Sequence, residues 1–177
     1  TVRATDVDDE NFFMRGEAIH IALEHIMKGL QFPVRHTVTT ALAHMDVSES
    51  ILSEAIEIAE KVVEAPIWLR AAASSDRYVE VPFSACFQDE LVSTEDTVLR
   101  GVIDLVFREP EGWVIVDYKT DKAAKRNQDT LVRLYGAQLK HYVQAWRQVT
   151  GETVKEAGFF FTETQSYVTI SETSWMD

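Results

Sequence analysis

The spacing of apolar residues changes after residue 74, and this change restricts the folds that are open to the chain. Before that point apolar residues recur at intervals of three and four, as in Ile19, Leu23 and Ile26, which is typical of amphipathic helices. After it, β-branched and aromatic residues form three runs at hairpin spacing, which predicts antiparallel strands. We therefore expect an α/β protein in which helices precede a sheet.

Local signals give bounds for the individual elements. Ser48 is a candidate N-cap, Pro66 is expected to stop the helix that Ser48 starts, and Gly151 is expected to end a later, longer helix. The segment 36–45 has no clear period. The predicted helices are 12–30, 48–65, 67–73 and 130–149, the predicted strands are 77–86, 97–107, 113–119, 157–162 and 167–170, and a basic loop is predicted over 120–128.

Composition excludes several classes of protein. Of the 177 residues, 46% are apolar, which is enough for the core of one domain and far above the level of disordered segments. No stretch approaches the roughly 20 consecutive apolar residues of a membrane-spanning helix, and the acidic N-terminus is unlike a signal peptide. We therefore expect a cytoplasmic protein with no membrane partner. Cys86 is the only cysteine, which excludes an intrachain disulfide, a four-cysteine zinc site and an iron–sulfur cluster.

Charge is unevenly distributed along the chain. The formal net charge is −12, which argues against a polyanionic partner because nucleic-acid binders usually carry a basic surface. Between Lys119 and Arg147, however, there are seven basic residues and two acidic ones, a net charge of +5. This stretch is interpreted either as the solvated face of a helix or as a contact surface for a polyanion.

Two aspartates on neighbouring predicted strands form the sharpest motif. Asp104 ends a Gly-Val-Ile-Asp sequence, and Asp117 begins an Asp-Tyr-Lys-Thr sequence. Between them, the Glu-Pro-Glu-Gly sequence at 109–112 has Pro and Gly where a type I turn favours them. A turn centred on its Pro-Glu pair sets a register in which Asp104 lies directly opposite Asp117.

This expected opposition predicts a metal site. Like charges directly opposite each other on paired strands are destabilising unless something neutralises them. A divalent cation does so, and two carboxylates with waters and a backbone carbonyl form the hard-oxygen set that Mg²⁺ or Mn²⁺ prefers. Lys119 shares a strand face with Asp117, where it could orient a water or stabilise charge developing on a phosphate. In the alternative interpretation Asp104 is an edge carboxylate and Asp117 pairs with Lys119.

Other polar residues are weaker candidates. A lone histidine such as His20 on an amphipathic helix is more often structural than a ligand. Gln138 and Tyr142 lie one turn apart on the long predicted helix, where Gln138 is beside the apolar stripe and could reach the mouth of the site. Glu80 alternates with apolar residues on a predicted strand, so it faces either the site or solvent.

The sequence resembles the PD-(D/E)XK nuclease superfamily, and most closely the RecB-type domain at the C-terminus of bacterial helicase–nucleases with a UvrD/Rep-type motor, the AddA-like branch. The matching pieces occur in family order across residues 15–142. They are Arg15-Gly-Glu-Ala-Ile-His20, Glu80-Val-Pro-Phe83, Gly101-Val-Ile-Asp104, Trp113-Val-Ile-Val-Asp117-Tyr-Lys-Thr120 and Tyr135-Gly-Ala-Gln138-Leu-Lys-His-Tyr142.

The resemblance implies a fold and a set of site residues. It implies a restriction-endonuclease-like αβββαβ core with a mixed central sheet flanked by helices and an N-terminal helical extension. It implies that His20, Asp104 and Asp117 ligate Mg²⁺ or Mn²⁺ with the backbone carbonyl of Tyr118, and that Lys119 is the catalytic lysine. The supporting and DNA-contacting residues are expected to be Gln138, Tyr142, Lys122, Lys125, Arg126, Arg133 and Glu80.

The function expected from this resemblance is metal-dependent exonucleolytic hydrolysis of DNA. We expect the domain to act with a helicase in the same polypeptide in double-strand break processing and recombination repair. A second, AddB-like subunit is a further candidate partner. The alternatives are a catalytically weak DNA-binding or docking module and a stand-alone restriction or repair nuclease. No Gly-x-x-x-x-Gly-Lys-[Ser/Thr] sequence occurs, so ATP is not an expected ligand of this domain.

Domain organisation follows from the same interpretation. We expect residues 1–177 to form a single domain, with a helical part over 1–74 and the catalytic sheet, long helix and closing strands over 75–177. The chain begins at Thr1 without a methionine and ends abruptly at Asp177. We therefore expect it to be cut from a longer helicase–nuclease.

Overall fold

The computed structural model describes residues 4–87 and 97–171. The elements follow one another in the predicted order, with one additional helix in the region around 36–45, for which the sequence predicts no element. The elements are α1 (Ala4–Lys28), α2 (Val34–Leu42), α3 (Glu49–Val62), α4 (Pro66–Ala73), β1 (Arg77–Phe87), β2 (Thr97–Glu109), β3 (Gly112–Lys119), α5 (Ala124–Thr150), β4 (Val154–Phe161) and β5 (Ser166–Thr169).

The N-terminal helices form where capping and apolar spacing agree. The hydroxyl of Ser48 accepts a hydrogen bond of 3.2 Å from the backbone N–H of Ile51, which confirms the predicted N-cap of α3. Pro66 begins α4 rather than only stopping α3, because proline suits the first position of a helix. The ambiguous segment 36–45 is largely helical, as α2. The helix predicted over 12–30 is confirmed within α1, which begins eight residues earlier, at Ala4.

The five strands form one mixed sheet in the order β1-β2-β3-β4-β5. Strands β1, β2 and β3 pair in antiparallel fashion. Strands β3 and β4 run in the same direction, because the N–H of Trp113 donates to the carbonyl of Thr153 and the N–H of Thr162 donates to the carbonyl of Lys119. Helix α5 makes the crossover that a parallel pair requires. The predicted α/β fold with a mixed sheet is confirmed.

The β2–β3 turn has the predicted register. Glu109 pairs with Gly112, and the pairing continues to Leu105 and Val116. Gly112 has a φ of +143°, and a Cβ atom there would lie 2.7 Å from the carbonyl oxygen of Thr153. Glycine is therefore required at this turn for conformation and for space.

Helix α5 begins within the segment that the sequence predicts as a basic loop. Residues from Ala124 are helical, and the dihedral angles of Asn127 (φ −136°, ψ 35°) interrupt the helix after its first turn. Asn127 therefore separates residues 124–126 from the rest of α5, which contains the helix predicted over 130–149. At the other end, the N–H of Gly151 bonds to the carbonyl of Arg147 at 2.9 Å with φ of +70°, so Gly151 ends the helix as predicted.

The chain packs as two compact units. The first contains α1–α4 with the segments Tyr118–Arg126 and Phe161–Ser166, and Leu23 and Ala59 lie in its core. The second contains the rest of the sheet with α5 from Asn127, and it buries Phe107, Ile115 and Phe159. The single-domain organisation stays a prediction.

The helices of the described residues are too short or too polar to cross a membrane. None of them combines the length and the apolar character that a crossing requires.

Candidate active site

Asp104 and Asp117 occupy adjacent strands at the same level of the sheet. Leu105 on β2 pairs with Val116 on β3 in an antiparallel register. Asp104 precedes Leu105 and Asp117 follows Val116, so the two aspartates lie at the next level of the pairing. Their side chains are buried, with exposed fractions of 8% for Asp104 and 4% for Asp117. Two buried carboxylates at one level are costly unless they are compensated, which makes this position a candidate for cation binding.

Glu80 lies at the same level on the next strand. On β1, Val79 pairs with Leu105 and Val81 pairs with Ile103, which places Glu80 alongside Asp104. Its Oε1 atom is buried, and its φ of +49° is in the left-handed region that residues other than glycine rarely adopt. Backbone strain of this kind concentrates at functional sites. The structure therefore places Glu80 in the same row as the two aspartates.

Helix α5 presents Gln138 and Tyr142 to this part of the second unit. The Nε2 atom of Gln138 donates a hydrogen bond of 2.9 Å to the hydroxyl of Tyr142, and the ring of Tyr142 meets that of Phe83 edge-on at 5.3 Å. A Cβ atom at Gly101 would lie 2.8 Å from the Phe83 ring and 3.3 Å from the Tyr142 ring. The glycine of the Gly-x-x-Asp motif thus makes room for these two rings beside β2.

The electrostatics of Tyr142 connect these groups. Burial raises the pKa of its hydroxyl, and the negative charges of Asp117, Asp104 and, more weakly, Glu80 raise it further. The hydrogen bond from Gln138 acts in the opposite direction without reversing the shift. The phenol therefore keeps its proton, and the predicted residues Asp104, Asp117, Glu80, Gln138 and Tyr142 come together in one unit.

His20 and Tyr118 belong to the first unit. The Nδ1 atom of His20 lies 3.0 Å from the carbonyl oxygen of Gly16, and its ring centroid lies 5.9 Å from that of Tyr118. A carbonyl can only accept, so Nδ1 is the donor in this contact, and in the neutral imidazole the lone pair is then on Nε2. A hydrogen bond from the other ring nitrogen to a carbonyl is the usual way in which a metal-ligating histidine is oriented.

Lys119 is the last residue of β3, two positions after Asp117 and half-buried. Its backbone carbonyl accepts a hydrogen bond of 3.0 Å from the N–H of Thr162, which follows β4. The backbone that carries the predicted catalytic lysine is therefore fixed to the neighbouring strand.

Two of the predicted DNA-contacting lysines have carboxylate neighbours. Lys122 lies 3.4 Å from Glu54, and Lys125 lies 3.1 Å from Glu163. Both lysine side chains remain more than half exposed, so their ammonium groups stay accessible to solvent, although the Glu163 side chain is buried.

The predicted arginines of the same segment differ from these lysines. Arg133 donates to the backbone carbonyl of Asp129 at 3.4 Å, and Arg126 is exposed. Within residues 4–87 and 97–171, neither arginine forms an ion pair with a carboxylate.

The donor set suits a hard divalent cation at the aspartate pair. Across the described ranges, no three His, Cys, Asp or Glu side chains come together in an arrangement that could hold a metal ion. Magnesium is usually held by one or two carboxylates, with waters and substrate oxygens completing the coordination. Asp104 and Asp117 meet this requirement.

Sequence reasoning missed Arg15, which it treated only as part of a motif. The side chain is buried, with 5% of the residue exposed, and it hydrogen-bonds to the backbone carbonyl of Thr120 at 2.6 Å. An arginine that closely follows a pair of phenylalanines gives no local signal for burial, because its partners are distant in the sequence.

Comparisons with known proteins show the family to which the chain belongs. The family model of the PD-(D/E)XK nuclease superfamily matches residues 2–173. The chain is 30% identical over 154 residues to an ATP-dependent helicase/nuclease subunit of Acetivibrio thermocellus, a match that covers 80% of this chain and 12% of the relative. It is 24% identical over 179 residues to the protein of the same name from Oceanobacillus iheyensis, covering 88% of this chain and 14% of that relative. The chain thus spans about one eighth of the length of these relatives, and it belongs to the PD-(D/E)XK nuclease superfamily.

Proposed function

We propose that this chain is a divalent-metal-dependent DNA nuclease domain that hydrolyses phosphodiester bonds exonucleolytically. The observation that carries the proposal is the buried pair Asp104 and Asp117, at one level of adjacent strands and beside a protonated Tyr142. Membership of a nuclease superfamily supports it, because the pair lies in the segments by which the sequence resembles that superfamily.

Asp104 and Asp117 are the proposed ligands of Mg²⁺ or Mn²⁺. The resemblance adds His20 and the backbone carbonyl of Tyr118, and the protonation of His20 at Nδ1 leaves Nε2 suited to ligation. When bound, the ion polarises the scissile phosphate and lowers the pKa of a bound water. One ion or two fit this donor set.

The other residues of the site have roles that follow from their chemistry. Lys119 supplies an ammonium group that orients the attacking water or stabilises charge that develops on the phosphate. Tyr142 keeps its proton and donates it as a hydrogen bond, and Gln138 orients the phenol from one turn away. The DNA backbone is bound by Arg126 and Arg133. Lys122 and Lys125 also bind it after they leave their carboxylate partners.

The names of the relatives extend the proposal to the whole protein. Both relatives are named ATP-dependent helicase/nuclease subunits. We propose that this nuclease domain acts on DNA ends that a helicase in the same polypeptide unwinds, and that its partner is a second, AddB-like subunit. The proposed setting is cytoplasmic, nucleoid-associated recombination repair.

The test is a nuclease assay of the purified chain with end-labelled single- and double-stranded DNA in Mg²⁺ or Mn²⁺. We expect cleavage by the wild type, and losses of at least about 100-fold in Asp117→Asn and Lys119→Ala. The exposed Asp46 provides a matched control, since Asp46→Asn removes one negative charge away from the site. Full activity in Asp117→Asn would refute the assignment.

A thermal melt in the same metals separates the proposal from the docking-module alternative. Metal binding to the native state raises the melting temperature, by a free energy of about 2.7 kcal/mol at 100 times the dissociation constant. We expect this increase in the wild type and its loss in Asp104→Asn and Asp117→Asn. A chain that binds DNA, gains no stability from metal and cleaves nothing would be a docking module.

A further inference from the structure

Arg15 on α1 is a buried cation that bonds to three separate parts of the first unit. Its Nη1 atom donates to the carbonyl of Thr120 at 2.6 Å, its Nε atom donates to Glu54 at 2.9 Å, and its Nη2 atom donates to Glu163. The planar guanidinium fixes the directions of these bonds. Arg15 therefore links α1, α3, the segment after β3 and the turn after β4.

The two carboxylates carry the connection further along the segment that follows β3. Glu54 also contacts Lys122 at 3.4 Å, and Glu163 contacts Lys125 through its other oxygen at 3.1 Å. Arg15 therefore holds this segment directly at Thr120, and its two carboxylate partners also contact lysines of the same segment.

Two hydrogen bonds fix successive carbonyls at and directly after Lys119. The N–H of Thr162 holds the carbonyl of Lys119 at 3.0 Å, and Arg15 holds the next carbonyl, that of Thr120, at 2.6 Å. Thr162 precedes Glu163, which Arg15 also holds. In addition, a Cβ atom at Gly16 would lie 3.2 Å from Oγ1 of Thr120, so α1 packs closely on the Thr120 side chain.

We propose that Arg15 is a positioning residue that sets the place of Lys119 for catalysis. The inference rests on the proposed function, because it assigns Arg15 a role in that site. Buried ion pairs often contribute little net stability, since desolvation offsets the attraction between the charges. Such ion pairs also fix the positions of the groups that they join. Here the bonds of Arg15 fix the backbone next to Lys119.

The first test is a steady-state comparison of Arg15→Lys with the wild type. Lysine keeps the charge but has one nitrogen, so it cannot hold Thr120 and both carboxylates in a fixed fork. Misplacement of a catalytic group by about 1 Å can cost up to about 100-fold in rate. We expect kcat to fall about tenfold or more at saturating DNA and metal, and KM for DNA to stay within about twofold.

Two further variants show whether a loss of activity results from misfolding rather than from a misplaced Lys119. Arg15→Gln combined with Glu163→Gln removes both charges together, so no buried charge is left unpaired, and the same loss of kcat is expected. Arg35→Gln is the matched control, because Arg35 on α2 forms an exposed ion pair with Glu60 on α3 at 3.2 Å. It should leave kcat unchanged.

Hydrogen exchange at the Thr162 amide provides a readout that does not depend on cleavage. This amide bonds to the carbonyl of Lys119, so a loosened segment should exchange about tenfold faster in Arg15→Lys and at the wild-type rate in Arg35→Gln. Wild-type kcat and wild-type exchange in Arg15→Lys would overturn the inference, as would a change in KM alone. If the wild type itself cleaves no DNA, the proposed function fails and the exchange rate alone decides the inference.

Discussion

Gln138 donates a hydrogen bond of 2.9 Å to the hydroxyl oxygen of Tyr142 one helical turn later. The phenol oxygen is thereby an acceptor on one side, while its own proton remains available for donation. Burial raises the pKa of this hydroxyl, and the charges of Asp117 and Asp104 raise it further. Tyr142 is therefore a permanent hydrogen-bond donor in the pH range where a nuclease works.

Replacing Tyr142 with phenylalanine tests this role. A hydrogen bond to a charged group is worth about 1.5–3 kcal/mol, so we expect Tyr142→Phe to lower kcat by about tenfold or more. Loss of the bond from Gln138 should lower the free energy of unfolding by about 1 kcal/mol. Nuclease kinetics and urea denaturation of the two proteins measure these effects.

The raised pKa of Tyr142 also predicts how stability depends on alkaline pH. The unfolded chain loses this proton near pH 10, whereas the folded chain keeps it, so the unfolded state binds fewer protons. Stability must then fall as pH rises above about 10, and this decline should be smaller in Tyr142→Phe. Melts from pH 8 to 11 measure it, with the half-exposed Tyr78 changed to phenylalanine as control. Equal slopes in wild type and Tyr142→Phe would contradict the prediction.

At position 80 we expect glycine to be more stable than alanine, which is the reverse of the usual order of stability in a strand. At φ of +49° alanine carries strain that glycine does not, and such strain costs on the order of 1–3 kcal/mol. We expect Glu80→Gly to be more stable than Glu80→Ala by about 1 kcal/mol in chemical denaturation. Ser84 lies on the same strand as Glu80 and pairs with Arg100 of β2. At Ser84 we expect alanine to be more stable than glycine. Alanine as the more stable residue at both positions would show that the backbone of Glu80 is unstrained.

The salt dependence of DNA affinity should distinguish two arginines of the basic stretch, Arg126 and Arg133, from two of its lysines, Lys122 and Lys125. Each phosphate contact contributes roughly 0.9 to the slope of log affinity against log salt for duplex DNA. We expect Arg126→Gln and Arg133→Gln each to reduce the slope by about that amount. Lys122→Gln and Lys125→Gln should have smaller effects, because these lysines must first leave Glu54 and Glu163. Fluorescence anisotropy between 50 and 200 mM salt gives the slopes, and equal changes in all four variants would refute the distinction.

Glu163 should contribute stability that is lost in acid. Burial opposes its ionisation, but the hydrogen bond from Lys125 and the charge of Arg15 outweigh burial and lower its pKa. A lowered carboxyl pKa stabilises the fold above the unfolded value of about 4.3, and the contribution disappears as pH falls through the folded value. The difference in melting temperature between wild type and Glu163→Gln should therefore be largest near pH 7 and should disappear below about pH 4. The exposed Glu64, changed to glutamine, should show no such difference.

Features governed by local chemistry were predictable from the sequence. The Glu-Pro-Glu-Gly turn at 109–112 set the hairpin register, and that register placed Asp104 and Asp117 at one level. The Ser48 cap and the Gly151 stop are likewise short-range signals. Each depends on side chains and dihedral preferences within a few residues.

Features governed by distant contacts were not predictable in the same way. The left-handed backbone of Glu80 interrupts a normal strand pattern without any local sign. The start of α1 at Ala4 was missed because its first residues are acidic and carry no apolar stripe, although negative charge favours a helix N-terminus. The glycine at position 101 was recognised only as part of a motif, since its reason is the closeness of two rings from other elements, those of Phe83 and Tyr142.

The bonds of Arg15 also determine when the site can exist during synthesis of the chain. Arg15 joins Thr120, which is 105 positions away, and Glu163, which is 148 positions away. Closing such long loops is entropically costly, so contacts of this separation form late in folding. A nascent chain that has not yet reached Glu163 lacks the bond between Arg15 and Glu163 and the bond from Thr162 to Lys119. We therefore expect the proposed nuclease activity only after the polypeptide is complete through β4.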